Sequence, residues 1–343
     1  MSKLNVAVIF GGGSVGCGSA INSAINVIDN LSREKYNVIP VYVNDLGNWF
    51  LYEGKPNSIN SAEWENFGTR CQVNLDRHEQ GLLRISGERI RNIPVDIAIP
   101  LLRGTLSSGA IQGVLEMGGI KYVGASIAAS AMAADRGLNK ALAKALGLAC
   151  PKYLVFDSKE LDGFDAMLRV IRYKVGYPCY VKPLKKGILN STRATNKREL
   201  EEAMLRAFLH SSKIIVEKEV VGRELVCTTF VLFNAPEFCE EGAIFRELSE
   251  VMPDGGLFPY PHLAPSHKID KKTVAKIKES SAAFYKTMNI SCPVHFKFFF
   301  DEQTKSVVFS DISTELRFDD DALLKKFMLV QEVLDKLIDD ALR

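Results

Sequence analysis

The 343-residue sequence lacks the features that mark several specialised classes of protein. Its 43 Lys and Arg residues nearly balance its 41 Asp and Glu residues, and the formal net charge is +2. Dedicated nucleic-acid binders usually carry a larger basic excess, so we expect no nucleic-acid partner. No apolar run reaches the roughly 20 residues of a membrane span, and the opening MSKLNVAVIF has no signal-peptide pattern. We therefore expect no membrane partner and a cytoplasmic location.

The thiols and imidazoles also form no recognisable site in the sequence. The seven cysteines are scattered, odd in number and without C-x-x-C spacing. This pattern is typical of reduced thiols in the cytoplasm and not of a disulfide framework. Four of the five histidines, His78, His210, His262 and His267, have no mutual spacing typical of a metal site. We expect them at the surface or in ordinary hydrogen-bonded positions.

Strand and helix patterns alternate over the first third of the chain. Predicted strands cover residues 5–10, 37–43, 96–102 and 121–123, and predicted helices cover 19–32 and 110–118. This alternation predicts a parallel, doubly wound sheet, which binds ligands at the carboxyl ends of its strands. The polar, irregular segment between residues 48 and 92 predicts an insertion rich in hairpins.

The remaining two thirds predict a mixed order of strands and helices. An alanine-rich helix is expected over residues 128–146. A small α+β unit follows, with strands at 152–156, 179–183 and 213–218, helices at 163–175 and 197–209, and a loop at 184–191. The last part has a strand at 224–232, a long loop at 251–267, a helix at 271–288, strands at 294–301 and 306–311, and a helix from 320.

The loop FGGGSVGCGS after the first strand has the Gly-x-Gly-x-x-Gly spacing of a dinucleotide-binding loop at Gly11, Gly13 and Gly16. An acidic residue is expected about 20 residues further on to bind a ribose, and the nearest candidate, Asp45, comes late. Glycines that make a tight strand-to-helix turn explain the pattern equally well. The residues alone leave phosphate binding and a structural turn open.

Two other patterns also allow two interpretations. The pair Lys185–Lys186 beside Gly187 could cradle a phosphate or lie in a solvated turn. Glu217 and Glu224, near the ends of predicted strands, could bind ribose hydroxyl groups or be exposed surface residues. Neither pattern predicts a function by itself.

Together these segments resemble the D-alanine–D-alanine ligases of the ATP-grasp superfamily over nearly the whole chain. The stretches that carry the resemblance are VAVIFGGGS, PLLRGTLSSGAIQGVLEMGGIKYVGASIAASAMAAD, GYPCYVKP, VEKEVVGREL, and HFKFFFD followed by FSDIST. The resemblance implies an α/β chain in which a Rossmann-like, doubly wound N-terminal domain precedes an ATP-grasp fold. The implied domains are residues 1–124, 125–217 and 218–343, with ATP between the last two. The resemblance also argues against dinucleotide binding by the glycine-rich loop.

On the nucleotide side, the resemblance implies that most positions are retained. Lys182 stands where the family's strand lysine meets the phosphates, and Arg136 replaces a second phosphate-facing lysine. The residues at the adenine and ribose positions are Glu217, Lys218, Val220 and Glu224. ATP is therefore the ligand that the resemblance implies.

On the chemical side, several residues that the family's reaction needs are replaced. Gly16 matches the glutamate that holds the amine of the first substrate. Ile188 and Leu189 match the two serines of the phosphate loop. His295 matches the arginine that stabilises the oxyanion of the tetrahedral intermediate.

The implied metal site is also altered. Lys297 replaces a metal-binding carboxylate, and Ser313 replaces an asparagine. Asp311 alone matches an acidic ligand, and magnesium prefers several hard oxygen ligands in an octahedron. An ammonium group cannot be such a ligand, so magnesium binding is doubtful. Lys297 is instead a candidate for direct pairing with nucleotide phosphates.

Three hypotheses follow from the resemblance. The first is a pseudoenzyme without dipeptide ligase activity, with a nucleotide-binding, scaffolding or regulatory role that kinship connects to cell-wall metabolism. The second is an active ATP-dependent ligase with a rebuilt metal site, in which Arg103, Ser107, Ser108 and Ser313 accept an altered substrate. The third is a homodimer, or a heterodimer with an active paralogue, because the family is typically dimeric through its N-terminal domain.

Overall fold

The structure, a computed structural model, describes residues 2–12, 17–54, 68–187, 191–231, 244–252, 262–265, 269–318 and 330–343. Its strands form three sheets of eight, four and five strands. Among the helices in these ranges, none combines the length and the apolar character needed to cross a membrane.

The first sheet has a parallel centre. Its strands are β1 (Leu4–Gly12), β2 (Tyr36–Val43), β3 (Trp49–Tyr52), β4 (Gly68–Val73), β5 (Gly81–Ser86), β6 (Arg89–Pro94), β7 (Ile97–Arg103) and β8 (Lys121–Tyr122), in the order β6-β5-β4-β3-β2-β1-β7-β8. Strands β2, β1, β7 and β8 pair in parallel, which confirms the predicted core. From β2 to β6 the pairing is antiparallel, as expected for a hairpin-rich insertion. The helices α1 (Cys17–Asn30) and α2 (Ala110–Met117) follow β1 and β7.

The glycines that end β1 are required by its neighbours in the sheet. Gly11 has a φ of +107°, and a Cβ atom there would lie 2.2 Å from the carbonyl oxygen of Val43. Gly12 has a φ of +98°, and its Cβ atom would lie 2.7 Å from the carbonyl oxygen of Arg103. Glycine alone adopts such a conformation readily and leaves this space free. Tight packing therefore explains this part of the glycine-rich loop, whereas residues 13–16 lie outside the described residues.

The alanine-rich segment predicted as one helix is two helices, α3 (Ile127–Ala134) and α4 (Arg136–Ala145). The helix breaks at Asp135, which has an extended backbone with φ −94° and ψ 111°. Its Oδ1 atom accepts hydrogen bonds of 2.8 and 2.9 Å from the backbone N–H groups of Gly137 and Leu138. The prediction of one helix was wrong because a side-chain cap competes with continuation of the helix.

Replacement of Asp135 by alanine is expected to lower the free energy of unfolding by about 1 kcal/mol, because the first turn of α4 loses its cap. Asp135→Asn is the matched control, since asparagine caps a helix as well as aspartate does. Urea unfolding should show the loss in the alanine variant and a midpoint near wild type in the asparagine variant. Equal losses in both would contradict a capping role.

The second sheet is antiparallel. Its strands are β9 (Tyr153–Asp157), β10 (Cys179–Pro183), β11 (Thr192–Ala194) and β12 (Lys213–Lys218), in the order β11-β10-β12-β9. The helices α5 (Phe164–Lys174) and α6 (Lys197–His210) lie in the same part of the chain and share a buried apolar cluster with these strands. The predicted elements of this part are confirmed. Strand β11 was not predicted, because three residues are too few to show a periodic pattern.

The third sheet is also antiparallel. Its strands are β13 (Arg223–Val231), β14 (Ile244–Met252), β15 (His262–Pro265), β16 (Val294–Asp301) and β17 (Ser306–Ser313), in the order β15-β14-β13-β16-β17. The helices α7 (Lys271–Thr287) and α8 (Val330–Leu342) complete this part. The prediction of a loop over residues 251–267 was wrong in part, because β14 and β15 pair with each other there. The expected start of the last helix, at residue 320, lies outside the described residues.

One buried apolar cluster joins the first and third sheets. Phe10 of β1 and Phe296 of β16 both belong to it. Within this cluster the ring of Phe284 on α7 stacks on that of Phe309 on β17, with 4.9 Å between the ring centroids. This shared core brings the carboxyl end of β1 and the strands β16 and β17 to one region. The domain division at residues 124 and 217 stays a prediction.

Candidate functional site

A cavity of about 230 Å³ lies where the first and third sheets meet the loop that follows β10. Its charged lining consists of Arg103, Lys186, Lys297, Asp311, Glu315 and Arg317. Hydroxyl groups complete the polar surface, among them those of Ser107 and Ser313. The lining therefore includes all three predicted metal-site positions, Lys297, Asp311 and Ser313.

Asp311 is held by nitrogen donors. Its Oδ1 atom lies 2.5 Å from Nζ of Lys186 and accepts a hydrogen bond of 3.1 Å from Nδ2 of Asn139. The backbone N–H of Ile312 donates to the same oxygen at 2.9 Å. Burial tends to raise the pKa of the Asp311 carboxyl group, but the positive charges of Lys186 and Arg136 outweigh it and hold that pKa well below its usual value. The group is thus a carboxylate with its charge neutralised by a lysine.

Lys297 is the cross-strand neighbour of Asp311, yet its ammonium group pairs elsewhere. The register of β16 and β17 places the two residues opposite each other. Nζ of Lys297 lies 3.3 Å from Oε1 of Glu224 on β13. Two residues predicted to bind a nucleotide therefore form an ion pair. The lysine that contacts Asp311 is Lys186, from the predicted phosphate loop.

His295 is tied to a neighbouring strand. Thr228 lies opposite it in the pairing of β13 and β16, and the threonine Oγ1 atom is 2.9 Å from the histidine Nδ1 atom. On β16, His295 and Lys297 share the half-exposed face, whereas the residues between and after them are buried. An imidazole in this place lacks the guanidinium fork that binds two oxygens at once.

A second charged cluster lies at the central sheet. Glu217 on β12 is 4% exposed, and its two carboxylate oxygens each lie 2.9 Å from a lysine Nζ, one from Lys140 and one from Lys182. Burial tends to raise the pKa of the Glu217 carboxyl group, but the two ammonium groups outweigh it and lower that pKa. Lys182 is partly exposed and Lys140 is fully buried. The predicted nucleotide residues Lys182 and Glu217 are therefore in direct contact.

Helix α4 connects the two clusters through consecutive residues that the sequence analysis missed. Asn139 donates to Asp311, and Lys140 pairs with Glu217. Lys140 Nζ also donates a hydrogen bond of 2.7 Å to the carbonyl oxygen of Ser310, the residue that the register shift between β16 and β17 leaves without a cross-strand partner. No pattern in the sequence indicated Asn139 and Lys140, because the buried side of this helix consists of these two residues and Ala143 and is not an apolar face.

The other predicted nucleotide residues lie around the central sheet. The Arg136 guanidinium donates a hydrogen bond of 2.9 Å to the carbonyl oxygen of Pro183. Lys218 Nζ donates one of 2.6 Å to the carbonyl oxygen of Tyr177, and Val220 is half-buried between β12 and β13. Gly16 and Ile188, two of the positions predicted to be degenerate, lie outside the described residues.

A second carboxylate of the cavity binds groups of the first sheet. Glu315 accepts a hydrogen bond of 2.9 Å from the Ser107 hydroxyl, and its other oxygen lies 3.8 Å from Nε of Arg103 and from Nη2 of Arg317. The Arg103 side chain is almost fully buried. These contacts connect the chain after β17 to the end of β7.

The described residues do not fit a divalent metal ion at Asp311. Magnesium needs a near-octahedral set of oxygen ligands, whereas nitrogen donors from Lys186, Asn139 and the backbone meet the Asp311 carboxylate. Lys297, across the strand, adds a positive charge and no oxygen ligand. Within the described ranges, no group of three or more His, Cys, Asp or Glu side chains is placed to hold a metal ion.

The sequence of this chain matches the models of one protein family and several of its members. Residues 5–125 match the family model described as the D-ala D-ala ligase N-terminus, and residues 142–327 match that of the D-ala D-ala ligase C-terminus. The chain is 30% identical to a D-alanine–D-alanine ligase of Caldicellulosiruptor bescii, over 98% of this chain and 95% of that protein. It is 28% identical to the vancomycin/teicoplanin A-type resistance protein VanA of Enterococcus faecium, over the whole of both chains.

A solved structure shows the same architecture. The VanG D-Ala:D-Ser ligase of Enterococcus faecalis superposes with a TM-score of 0.83 and 25% identity, over 99% of this chain and 100% of that one. The N-terminal sheet with its parallel centre, followed by two antiparallel sheets, is thus the ATP-grasp ligase fold with its Rossmann-like N-terminal domain. Since the matches extend over nearly the full length and both halves fit the family models, the chain belongs to the D-alanine–D-alanine ligase family.

Proposed function

We propose that this chain is a nucleotide-binding member of the family that does not join two amino acids. The observation that carries the proposal is the state of Asp311. Its carboxylate is paired with Lys186 at 2.5 Å and faces Lys297 across the strand pair. A phosphoryl-transferring ligase needs metal ions that bridge and neutralise the phosphates, and this arrangement offers a metal ion too few oxygen ligands.

The substrate side supports the same proposal. Transition-state stabilisation in acyl transfer needs donors aimed at the developing oxyanion. His295, at the position of the family's arginine, is engaged by Thr228 at 2.9 Å. Gly16 and Ile188 have no side chain that could hold an ammonium group or donate a hydrogen bond. Loss of several groups that act together leaves little of the original rate.

The nucleotide side supports binding. Lys182 and Glu217 are in contact on the central sheet, and Glu224 lies at the start of β13. An ammonium group near the phosphates and carboxylates near the base and ribose are the side chains that nucleotide binding needs. Such a subunit would act as a cytoplasmic scaffold or regulator, as a homodimer or beside an active paralogue.

A second candidate is an active ATP-dependent ligase with an altered substrate. The cavity favours it, because Arg103 and the Ser107 hydroxyl remain in its lining. Change of substrate occurs among the relatives, since the structural neighbour VanG is named a D-Ala:D-Ser ligase. In this chain, however, Glu315 already engages both groups.

Thermal denaturation with ATP, measured beside phosphate release, tests the proposal. ATP should raise the melting temperature, both with magnesium chloride and with EDTA, because binding to the folded state alone stabilises it. Phosphate should not be released in the presence of D-alanine, D-serine or D-lactate. Release that depends on magnesium and on one of these substrates would establish the second candidate. No ATP-induced shift under either condition would refute nucleotide binding.

A further inference from the structure

The cavity contains more positive than negative side chains. The cationic residues of its lining are Arg103, Lys186, Lys297 and Arg317, and the acidic ones are Asp311 and Glu315. The lining thus has an excess of two positive charges, and one remains when Glu224, the partner of Lys297, is counted. Clusters of lysine and arginine are typical of sites that bind phosphate groups.

Lys186 is fixed in this cavity at both of its ends. Its ammonium group contacts Oδ1 of Asp311 at 2.5 Å and also donates to the carbonyl oxygen of Ile312. Its backbone N–H donates a hydrogen bond of 3.0 Å to the carbonyl oxygen of Ala134, and the preceding residue, Lys185, forms a β-bridge with Asp135. The positive charge of Lys186 therefore has a defined position beside the carboxylate.

One carboxylate oxygen of Asp311 is surrounded by nitrogen donors. Three N–H donors converge on Oδ1, from the Lys186 ammonium group, the Asn139 amide and the Ile312 backbone. A metal ion at Oδ1 would have to displace the ammonium group, and Lys297 lies opposite Asp311 across the strand pair. Charge repulsion and the missing oxygen ligands both oppose that exchange.

We propose that the ammonium group of Lys186 supplies, from within the chain, the positive charge that a divalent metal ion would bring to Asp311, so that the cavity accepts nucleotide phosphates without a metal ion. The ligand class in this inference rests on the proposed function. The position assigned to the Lys186 ammonium group rests only on the geometry around Asp311. Lys186, and not Lys297, is then the residue on which metal-free binding depends.

Binding of Mn²⁺, followed by its electron paramagnetic resonance signal without any nucleotide, tests the position of the ammonium group. The wild-type chain should leave Mn²⁺ free, and so should Lys185→Met, which removes a charge one residue away from the cavity lining. The double variant Lys186→Met/Lys297→Asp should bind one Mn²⁺ ion per chain, because it frees Asp311 and adds a second carboxylate opposite it. Adding Asp311→Asn to the double variant should abolish that binding.

Two results would overturn the inference. One is Mn²⁺ binding by the wild-type chain that Asp311→Asn removes, since the carboxylate would then be open to a metal ion. The other is an absence of Mn²⁺ binding in both the wild-type chain and the folded double variant, since Asp311 would then not lie at a metal position. Circular dichroism of each variant establishes that it is folded.

The consequence for the nucleotide is measured separately. The affinity of the wild-type chain for ATP should be the same in EDTA and in magnesium chloride. The Lys186→Met variant should bind ATP in EDTA about tenfold or more weakly than the wild-type chain does. Equal ATP affinity of Lys186→Met and wild type in EDTA would contradict metal-free binding through this residue. An absence of ATP binding in the wild-type chain would refute the proposed function, whereas the Mn²⁺ result would still decide the place of the ammonium group.

Discussion

Replacement of Lys140 by methionine is expected to lower the free energy of unfolding by about 1.5–3 kcal/mol, the usual contribution of a hydrogen bond to a charged group, because the buried Glu217 carboxylate keeps Lys182 as a partner. The Lys140 side chain is 1% exposed, and its ammonium group lies 2.9 Å from a carboxylate oxygen of Glu217. Methionine has a similar length and fills much of the same space. The loss therefore reports a buried carboxylate left with Lys182 as its one lysine partner, and the unsatisfied carbonyl oxygen of Ser310, which accepts from Lys140 at 2.7 Å in the wild-type chain.

Lys144→Met is the matched control for this variant. Lys144 lies on the same helix, is exposed, and has its ammonium group 4.2 Å from the ring centroid of Tyr153. Its loss should cost about 1 kcal/mol or less, the usual value of an exposed cation–π contact. Urea unfolding of both variants gives the comparison. Similar small losses in the two variants would show that the buried pair contributes little to stability.

The double variant Lys140→Met/Glu217→Gln tests whether Lys140 and Glu217 interact. Glutamine removes the buried negative charge that Lys140→Met leaves with Lys182 alone. The double variant should therefore be more stable than the sum of the two single losses predicts, as expected for residues in contact. Strict additivity would mean that the two groups do not interact at the distance that the structure gives.

The sequence allowed the elements near the site to be predicted well where a local pattern was strong. The strand over residues 294–301 was predicted with the bounds that β16 has, because Phe296, Phe298 and Phe300 alternate with half-exposed residues. The parallel centre of the first sheet followed from alternating strand and helix patterns. Local periodicity is enough for such elements, since each buries one regular face.

Contacts between distant residues could not be predicted in the same way. No local pattern indicates that Lys186 meets Asp311, because 124 residues separate the two and the contact depends on how the β10 loop packs on β17. The break at Asp135 depends on a side-chain cap, which competes with good helix propensity. Neither the burial of Lys140 nor its partner on β12 was visible, because the buried side of α4 also contains Asn139 and shows no apolar pattern.

Replacement of Lys182 by methionine is expected to weaken ATP binding by about 10- to 100-fold, which corresponds to the loss of one charge-assisted hydrogen bond. In the ligand-free chain the Lys182 ammonium group lies 2.9 Å from Glu217, and its side chain is partly exposed. It can therefore turn from the carboxylate to a phosphate group without leaving Glu217 unpaired, because Lys140 stays in contact. The buried lysine maintains the fold, and the partly exposed one is available to the ligand.

Lys213→Met is the control for nucleotide binding. Lys213 lies on the neighbouring strand β12, and its ammonium group is more than half exposed and 3.9 Å from Asp157. It carries the same charge on the same sheet, so its loss should leave the dissociation constant for ATP unchanged. Isothermal titration calorimetry of wild type and both variants in EDTA makes the measurement. If Lys182→Met and Lys213→Met had equal affinity for ATP, any nucleotide bound by this chain would not contact Lys182. The separate roles proposed for Lys140 and Lys182 would then be wrong.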